Sequence, residues 1–217
     1  MAGPCCVCSS LNKVQRSTQI TLETAPSTYD NGIMATTNGP PVEKLMSAMA
    51  YAALKHTNQR RRDSRKSPYI NHPIAVAHML THVGKVEDIT ILQAAVLHDL
   101  LEDTDATPAD LVERFGHEVC TLVKEVSDDK SLPKNERKAK QIERARSASS
   151  AAKMIHIADK ICNILDINLV DPPEWSTQRK TEYMLWTDRV VDACRGCNPA
   201  LEERFDKVFA EHRGMFL

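Results

Sequence analysis

An all-α fold, a bundle of roughly eight to ten helices, is the class this chain predicts. Apolar residues recur at three- and four-residue spacing in one segment after another, with no credible strand between them. Aromatic residues are only 5% of the 217, too few for a β-sandwich, while Leu, Ala, Ile and Met fill the apolar positions. There are seven glycines, no glycine-rich phosphate loop and no internal repeat. Residues 1–40 are rich in Ser, Thr, Asn, Pro and Gly without sustained periodicity, so a disordered extension is expected there and the folded domain at 41–217.

The elements follow in order. After Pro40-Pro41 the spacing of Leu45, Met46, Met49, Ala52 and Ala53 predicts a helix over 42–56. A basic loop, Arg60 to Ser67, leads into Tyr69-Ile70-Asn71-His72-Pro73. Pro73 suits the first residue of the next helix, which runs to Val83 and stops at Gly84. Asp88 caps a helix predicted over 89–103. Thr107-Pro108 opens a short helix ending near Gly116, and the next spans 117–126 with Val119, Leu122, Val123 and Val126 on its apolar side. A loop at 128–133 precedes the highly charged 134–146. A long helix begins at Ser149 or Ser150 and reaches Val170, where Asp171-Pro172-Pro173 breaks the chain. Helices over 177–194 and 199–212 complete the fold, the second capped by Asn198.

Two helices carry the chemistry. The stretch 89–97 is almost wholly apolar, as suits a helix in the middle of a protein, yet it runs into His98, Asp99, Glu102 and Asp103. On one continuous helix these four share a sector, His98 with Glu102 and Asp99 with Asp103. Such groups in a core helix are costly without a partner, and a metal cation suits all four at once. On the long helix Asp159, Asn163 and Asp166 share a second polar sector, opposite Met154, Ile157, Ile161, Ile164 and Leu165.

His72, the pair His98-Asp99 and the distant Asp159 resemble the H…HD…D signature of HD-domain metal-dependent phosphohydrolases. The fuller set resembles the hydrolase domain of the RelA/SpoT group, most closely its short metazoan branch of small alarmone hydrolases. That set is Tyr69-Ile70-Asn71-His72-Pro73, then His98-Asp99-Leu100-Leu101-Glu102-Asp103-Thr104, then Ala158-Asp159-Lys160 with Asn163. It implies one Mn²⁺ per site held by His72, His98, Asp99 and Asp159, and such a His/carboxylate set suits a borderline-hard ion of that kind. It implies that Glu102 and Asp103 orient or deprotonate the attacking water. The implied reaction is hydrolysis of (p)ppGpp at the 3′ position to pyrophosphate and GDP or GTP.

The same resemblance places Arg61 and Arg62 against the nucleobase, where the second residue is usually Lys, and Asn163, Arg179 and Tyr183 along the nucleotide pocket. Lys130 and Lys134, with Arg137, form a basic cluster that could meet the outer phosphates; a solvated charged helix is an equal reading of it. The family usually has Arg two residues after the Asn, where this chain has Leu165. The chain is shorter than the long members, so hydrolysis without synthesis is expected. Two alternatives remain: an HD-fold phosphatase acting on NADPH or another phosphorylated nucleotide, and a non-catalytic nucleotide-binding module.

The remaining signals are weak. His78 and His82 sit four apart without the zincin Glu, and Cys194-Arg195-Gly196-Cys197 lacks a second metal-binding pair, so exposed histidines and a helix stop are expected. Net charge is −1, which gives no global attraction to nucleic acid or to an anionic membrane. No apolar run approaches the roughly 20 residues of a bilayer span. Seven scattered cysteines, an odd number, read as reduced thiols of a cytoplasmic protein with no secretory signal. Cys5, Cys6 and Cys8 belong to the tail, and Met34 could serve as an alternative start. A small-molecule nucleotide is the expected partner, and a homo-oligomer is left open.

Overall fold

The computed structural model describes residues 39–63, 65–170 and 175–216. The expectations for the tail through residue 38 and for the Asp171-Pro172-Pro173 break lie outside them. Among the described residues there is no strand; one isolated antiparallel bridge pairs Arg60 with Pro68 and closes the basic loop.

Ten helical segments follow one another: α1 (Pro41–Lys55), α2 (Asn71–His82), α3 (Ile89–Leu97), α4 (Leu100–Asp103), α5 (Pro108–Phe115), α6 (His117–Val126), α7 (Lys134–Ser147), α8 (Ser150–Val170), α9 (Thr177–Cys194) and α10 (Pro199–Phe216). Two of them are central. α3 packs against α1, α2, α6 and α8, and α8 packs against α2, α3, α6, α7, α9 and α10. Every residue from Leu92 to Leu97 is buried, as the apolar run requires. On α8 the run Ile155–Cys162 is buried on all sides, so its polar residues are interior rather than on an outer face.

The caps are those the sequence specifies. Asp88 accepts from Thr90 N at 2.8 Å, and Thr107 and Asp110 form a reciprocal capping box. Asn198 Oδ1 accepts from Leu201 N at 3.1 Å. Gly116, at φ 87, takes the left-handed turn between α5 and α6.

Three local expectations are corrected. Pro73 is the third helical residue rather than the first, still within the turn whose N–H groups lack intrahelical partners. Gly84 does not supply the left-handed residue after α2; Lys85 does, at φ 54. A glycine is required at 84 for space. A Cβ there would stand 2.8 Å from the Leu80 carbonyl oxygen and 3.1 Å from the Leu201 side chain. Gly84→Ala is therefore expected to cost about 1–3 kcal/mol, read as a fall in Tm of about 2–4 °C per kcal/mol; an unchanged melting curve would refute the crowding.

The third correction concerns 89–103, which is two helices, not one. The chain turns at His98-Asp99, with no Pro or Gly to cause it. His98 Nδ1 takes the Ala95 carbonyl at 2.8 Å, the acceptor that a continuous helix would pair with the Asp99 N–H. Glu102 N closes on the Asp99 carbonyl at 3.2 Å rather than on that of His98, while Asp103 N keeps the regular helical bond to Asp99.

Candidate metal centre and nucleotide cleft

His72 arrives on the first turn of α2, His98 and Asp99 at the α3–α4 turn, and Asp159 near the middle of α8. One ligand atom each from His72, His98 and Asp159 lies within 4.8 Å of the others. His72 Nε2 is 3.0 Å from Asp159 Oδ1, and His98 Nε2 is 3.9 Å from the same oxygen. Asp99 Oδ2 stands 3.1 Å from His98 Nε2 and 3.9 Å from His72 Nε2. Three of the four residues predicted as ligands, His72, His98 and Asp159, therefore converge, and Asp99 flanks the two imidazoles.

The arrangement asks for a cation. His98 donates its Nδ1–H to Ala95, which leaves Nε2 facing two carboxylates, buried and without a hydrogen-bond partner of acceptable geometry. Burial opposes charge on His98, yet Asp99 and Asp159 outweigh it and hold its pKa up at about 9. Burial likewise works against ionised Asp99 and Asp159. His98 and His72 keep Asp99 well below the carboxylate range, and Lys160 with His72 does the same for Asp159. Two ionised carboxylates and two imidazoles in the interior fit a divalent ion of the His/carboxylate type.

Neighbouring side chains hold the carboxylates in place. Tyr69 donates its hydroxyl to Asp99 Oδ2 at 2.7 Å. Lys160, itself buried, donates to Asp159 Oδ2 at 2.7 Å, and its Nζ lies 4.7 Å over the Trp186 ring. Asn163 Nδ2 donates to Asp159 Oδ1 at 2.5 Å, while Asn163 Oδ1 accepts from Arg61. Asn163 thus couples the metal cluster to the basic loop.

Glu102 and Asp103 stand one turn further on. Glu102 Oε1 accepts from the Asp128 N–H at 2.7 Å. Burial, reinforced by the Asp99 charge, pushes the Glu102 carboxyl up to about 7. Asp103 accepts from Gln59 at 2.9 Å and pairs with Lys130, whose ammonium is 4.0 Å from Glu102.

Two neighbouring spaces serve these groups. A chamber of about 160 Å³ is lined by the metal cluster, Glu102, Asp128, His156 and Lys160. A cleft of about 480 Å³ shares Tyr69 and Asn163 with it, and its volume suits a small-molecule ligand. Arg61, Arg62, Lys130, Asn163 and Tyr183 line the cleft, together with Asp103. The guanidinium of Arg61 lies 5.5 Å over the Tyr69 ring and pairs with Asp166. Lys134 is exposed at the start of α7 and Arg179 stacks 4.3 Å over Trp175; neither lines the cleft. Sequence reasoning assigned no role to Gln59, Tyr69 or Trp175, all of which line it. Leu165 packs half-buried against the core, and its neighbour Asp166 meets Arg61.

The remaining signals resolve simply. His78 and His82 are exposed and stack on each other, with ring centres 5.3 Å apart. Cys194 and Cys197 are free thiols on either side of Gly196, which turns the chain at φ 90. No helix among the described residues is long and apolar enough to cross a membrane.

A helical bundle that brings one His, a His-Asp pair and a distant Asp together defines an HD-domain protein of the metal-dependent hydrolase class. The HD domain family model matches residues 48–186, and the chain belongs to that family. Within it, the chain is 47% identical over 173 residues to the guanosine-3′,5′-bis(diphosphate) 3′-pyrophosphohydrolase MESH1 of Danio rerio, covering 80% of this chain and 96% of that one. The human protein of the same name is 46% identical over 177 residues, covering 82% and 98%. Among solved structures, a metazoan ortholog of SpoT that hydrolyses ppGpp and plays a role in starvation responses superposes with a TM-score of 0.76 at 45% identity, covering 79% of this chain and 96% of that one.

Proposed function

We propose that this chain is a Mn²⁺-dependent (p)ppGpp 3′-pyrophosphohydrolase of the cytoplasm, releasing pyrophosphate and leaving GDP or GTP. The observation that carries the proposal is the convergence of His72, His98 and Asp159, flanked by Asp99 and Glu102 in one chamber, next to a cleft lined by Asp103 and by cations. Four free thiols among the described residues, Cys120, Cys162, Cys194 and Cys197, accord with a reducing compartment.

His72, His98, Asp99 and Asp159 would hold the ion, which when bound acidifies a water and offsets charge on the phosphoryl group. The remaining work falls to the chain. Tyr69, Lys160 and Asn163 fix the ligand carboxylates so that their free lone pairs stay aimed at the ion. Arg61, held in place by Asp166 and Asn163 over the Tyr69 ring, offers a flat cation for a purine face at the cleft wall, and Arg62 stands exposed beside it. Lys130 is placed to meet a phosphate, and in doing so it would leave Asp103. The freed Asp103 carboxylate, with Glu102 beside it, then accepts the proton of the attacking water.

A nucleotide panel with Mn²⁺ tests the reading by separating the two phosphate products. Pyrophosphate and GDP from ppGpp are expected. Orthophosphate from NADPH or another nucleotide, with ppGpp untouched by the ion-loaded protein, would assign the site to a phosphatase instead.

A further inference from the structure

We propose that Gln59, anchored by His56, is a positioning residue that keeps Asp103 aimed at the water once substrate draws Lys130 away. The proposal rests on the reading of Asp103 as the proton acceptor.

The hydrogen bonds run in a fixed direction. Gln59 donates its amide NH₂ to Asp103 Oδ2 at 2.9 Å. The Gln59 carbonyl oxygen is then turned the other way, 2.6 Å from His56 Nδ1, and this nitrogen must carry the hydrogen. Burial disfavours charge on His56, so the ring stays neutral as the Nδ1–H tautomer, and its Nε2 is left buried without a partner. The ring cannot easily turn. It is 2% exposed and packs on Tyr69 with ring centres 4.8 Å apart. His56 thereby fixes which way the Gln59 amide points, and Gln59 fixes one oxygen of Asp103.

The second oxygen of Asp103 pairs with Lys130, a half-exposed side chain that also stands near Glu102. A long lysine stem at the cleft mouth follows whichever anion is nearest. An arriving phosphate would compete for it, and Asp103 would then keep one of its two side-chain restraints. That remaining restraint is Gln59, whose amide reaches Asp103 across 44 residues of sequence from the end of the basic loop's anchoring turn. The titratable groups that bear on Asp103 are Lys130, which pairs with it and also stands near Glu102, and His56 and Tyr69.

Three variants in the Mn²⁺-loaded full chain test the idea. Gln59→Leu keeps the volume and removes the donor. It is expected to lower kcat on the order of 10²-fold, with KM and ion content unchanged. Gln59→Glu sets a carboxyl against Asp103, and the two will share a proton. The acidic limb of its kcat–pH profile is expected to move to higher pH, a shift that a merely structural role would not produce. His56→Asn, which retains a donor near the Nδ1 position, is expected to recover activity lost in His56→Ala. Wild-type kcat and pH profile in both Gln59 variants, alongside an inactive Asp103→Asn, would overturn the positioning role and leave the Asp103 assignment standing. An active Asp103→Asn would overturn both. Should Gln59→Leu fail to fold, the profile of Gln59→Glu decides the question.

Discussion

Asp103→Asn is expected to lower kcat by about 10²–10⁴-fold, the range typical of a lost general base, while the ion stays bound. The two parts of the expectation come from different geometry. Asp103 touches Gln59 and Lys130 and is not among the atoms that gather around the metal position, so the ligand cluster should survive its replacement. The amide of Asn keeps the size of the side chain and can still bond to Gln59 after an amide flip, but it cannot take a proton at neutral pH. Turnover should therefore fall through kcat rather than through folding. Glu102 separates from Asp103 by environment: it is the more enclosed carboxyl, tied to the Asp128 N–H and pushed up to about 7 by burial and by Asp99. Two acids with different surroundings at one site are suited to different steps of one proton transfer. Single-turnover kinetics with ion content measured on the same sample check the expectation. Normal turnover in Asp103→Asn with ion bound would remove Asp103 from the chemistry.

The parts of this site that were legible in the sequence are those encoded by order and local chemistry. His72, His98-Asp99 and Asp159 form an ordered set, and the caps at Asp88, Thr107 and Asn198 are local bonds between near neighbours. The break at His98-Asp99 was not legible, because its cause is an imidazole taking a backbone carbonyl rather than a proline or glycine. Nor could spacing alone show that α8 is buried all round: Lys160 reads as a surface lysine until Asp159 and the Trp186 ring are found around it. Gln59 and Tyr69 were given no role for the same reason. Their partners lie 44 and 30 residues away, and neither residue type signals a role by itself. Lys134 shows the opposite error, in which a basic run suggested one shared surface although only Lys130 reaches the cleft.

Asp159→Asn should abolish stoichiometric Mn²⁺ binding and turnover together, and thermal melting can separate loss of ion from loss of fold. A ligand that binds only the folded chain adds about 2.7 kcal/mol at a hundred times its Kd, which at about 2–4 °C per kcal/mol raises the Tm of the wild type by several degrees. The variant should lose that rise. Its ion-free stability is a separate matter, decided by Lys160. This lysine is 4% exposed, and Asp159 is its hydrogen-bonded counter-ion. Truncation to Ala would leave the ammonium buried without that acceptor, at a cost of about 3–5 kcal/mol, and could be mistaken for a metal effect. Asn retains an oxygen for Lys160 and avoids the unpaired buried ammonium, although its NH₂ takes the place of the oxygen that accepts from Asn163. Asp99→Ala gives an independent check, since Asp99 is 15% exposed in its side chain and bonds to Tyr69 rather than to Lys160. Both variants should melt at the same temperature with and without Mn²⁺. A variant that keeps the ion and the wild-type rise in Tm would show that its carboxylate is not a ligand, and the assignment of the cluster would have to be redrawn around the remaining three residues.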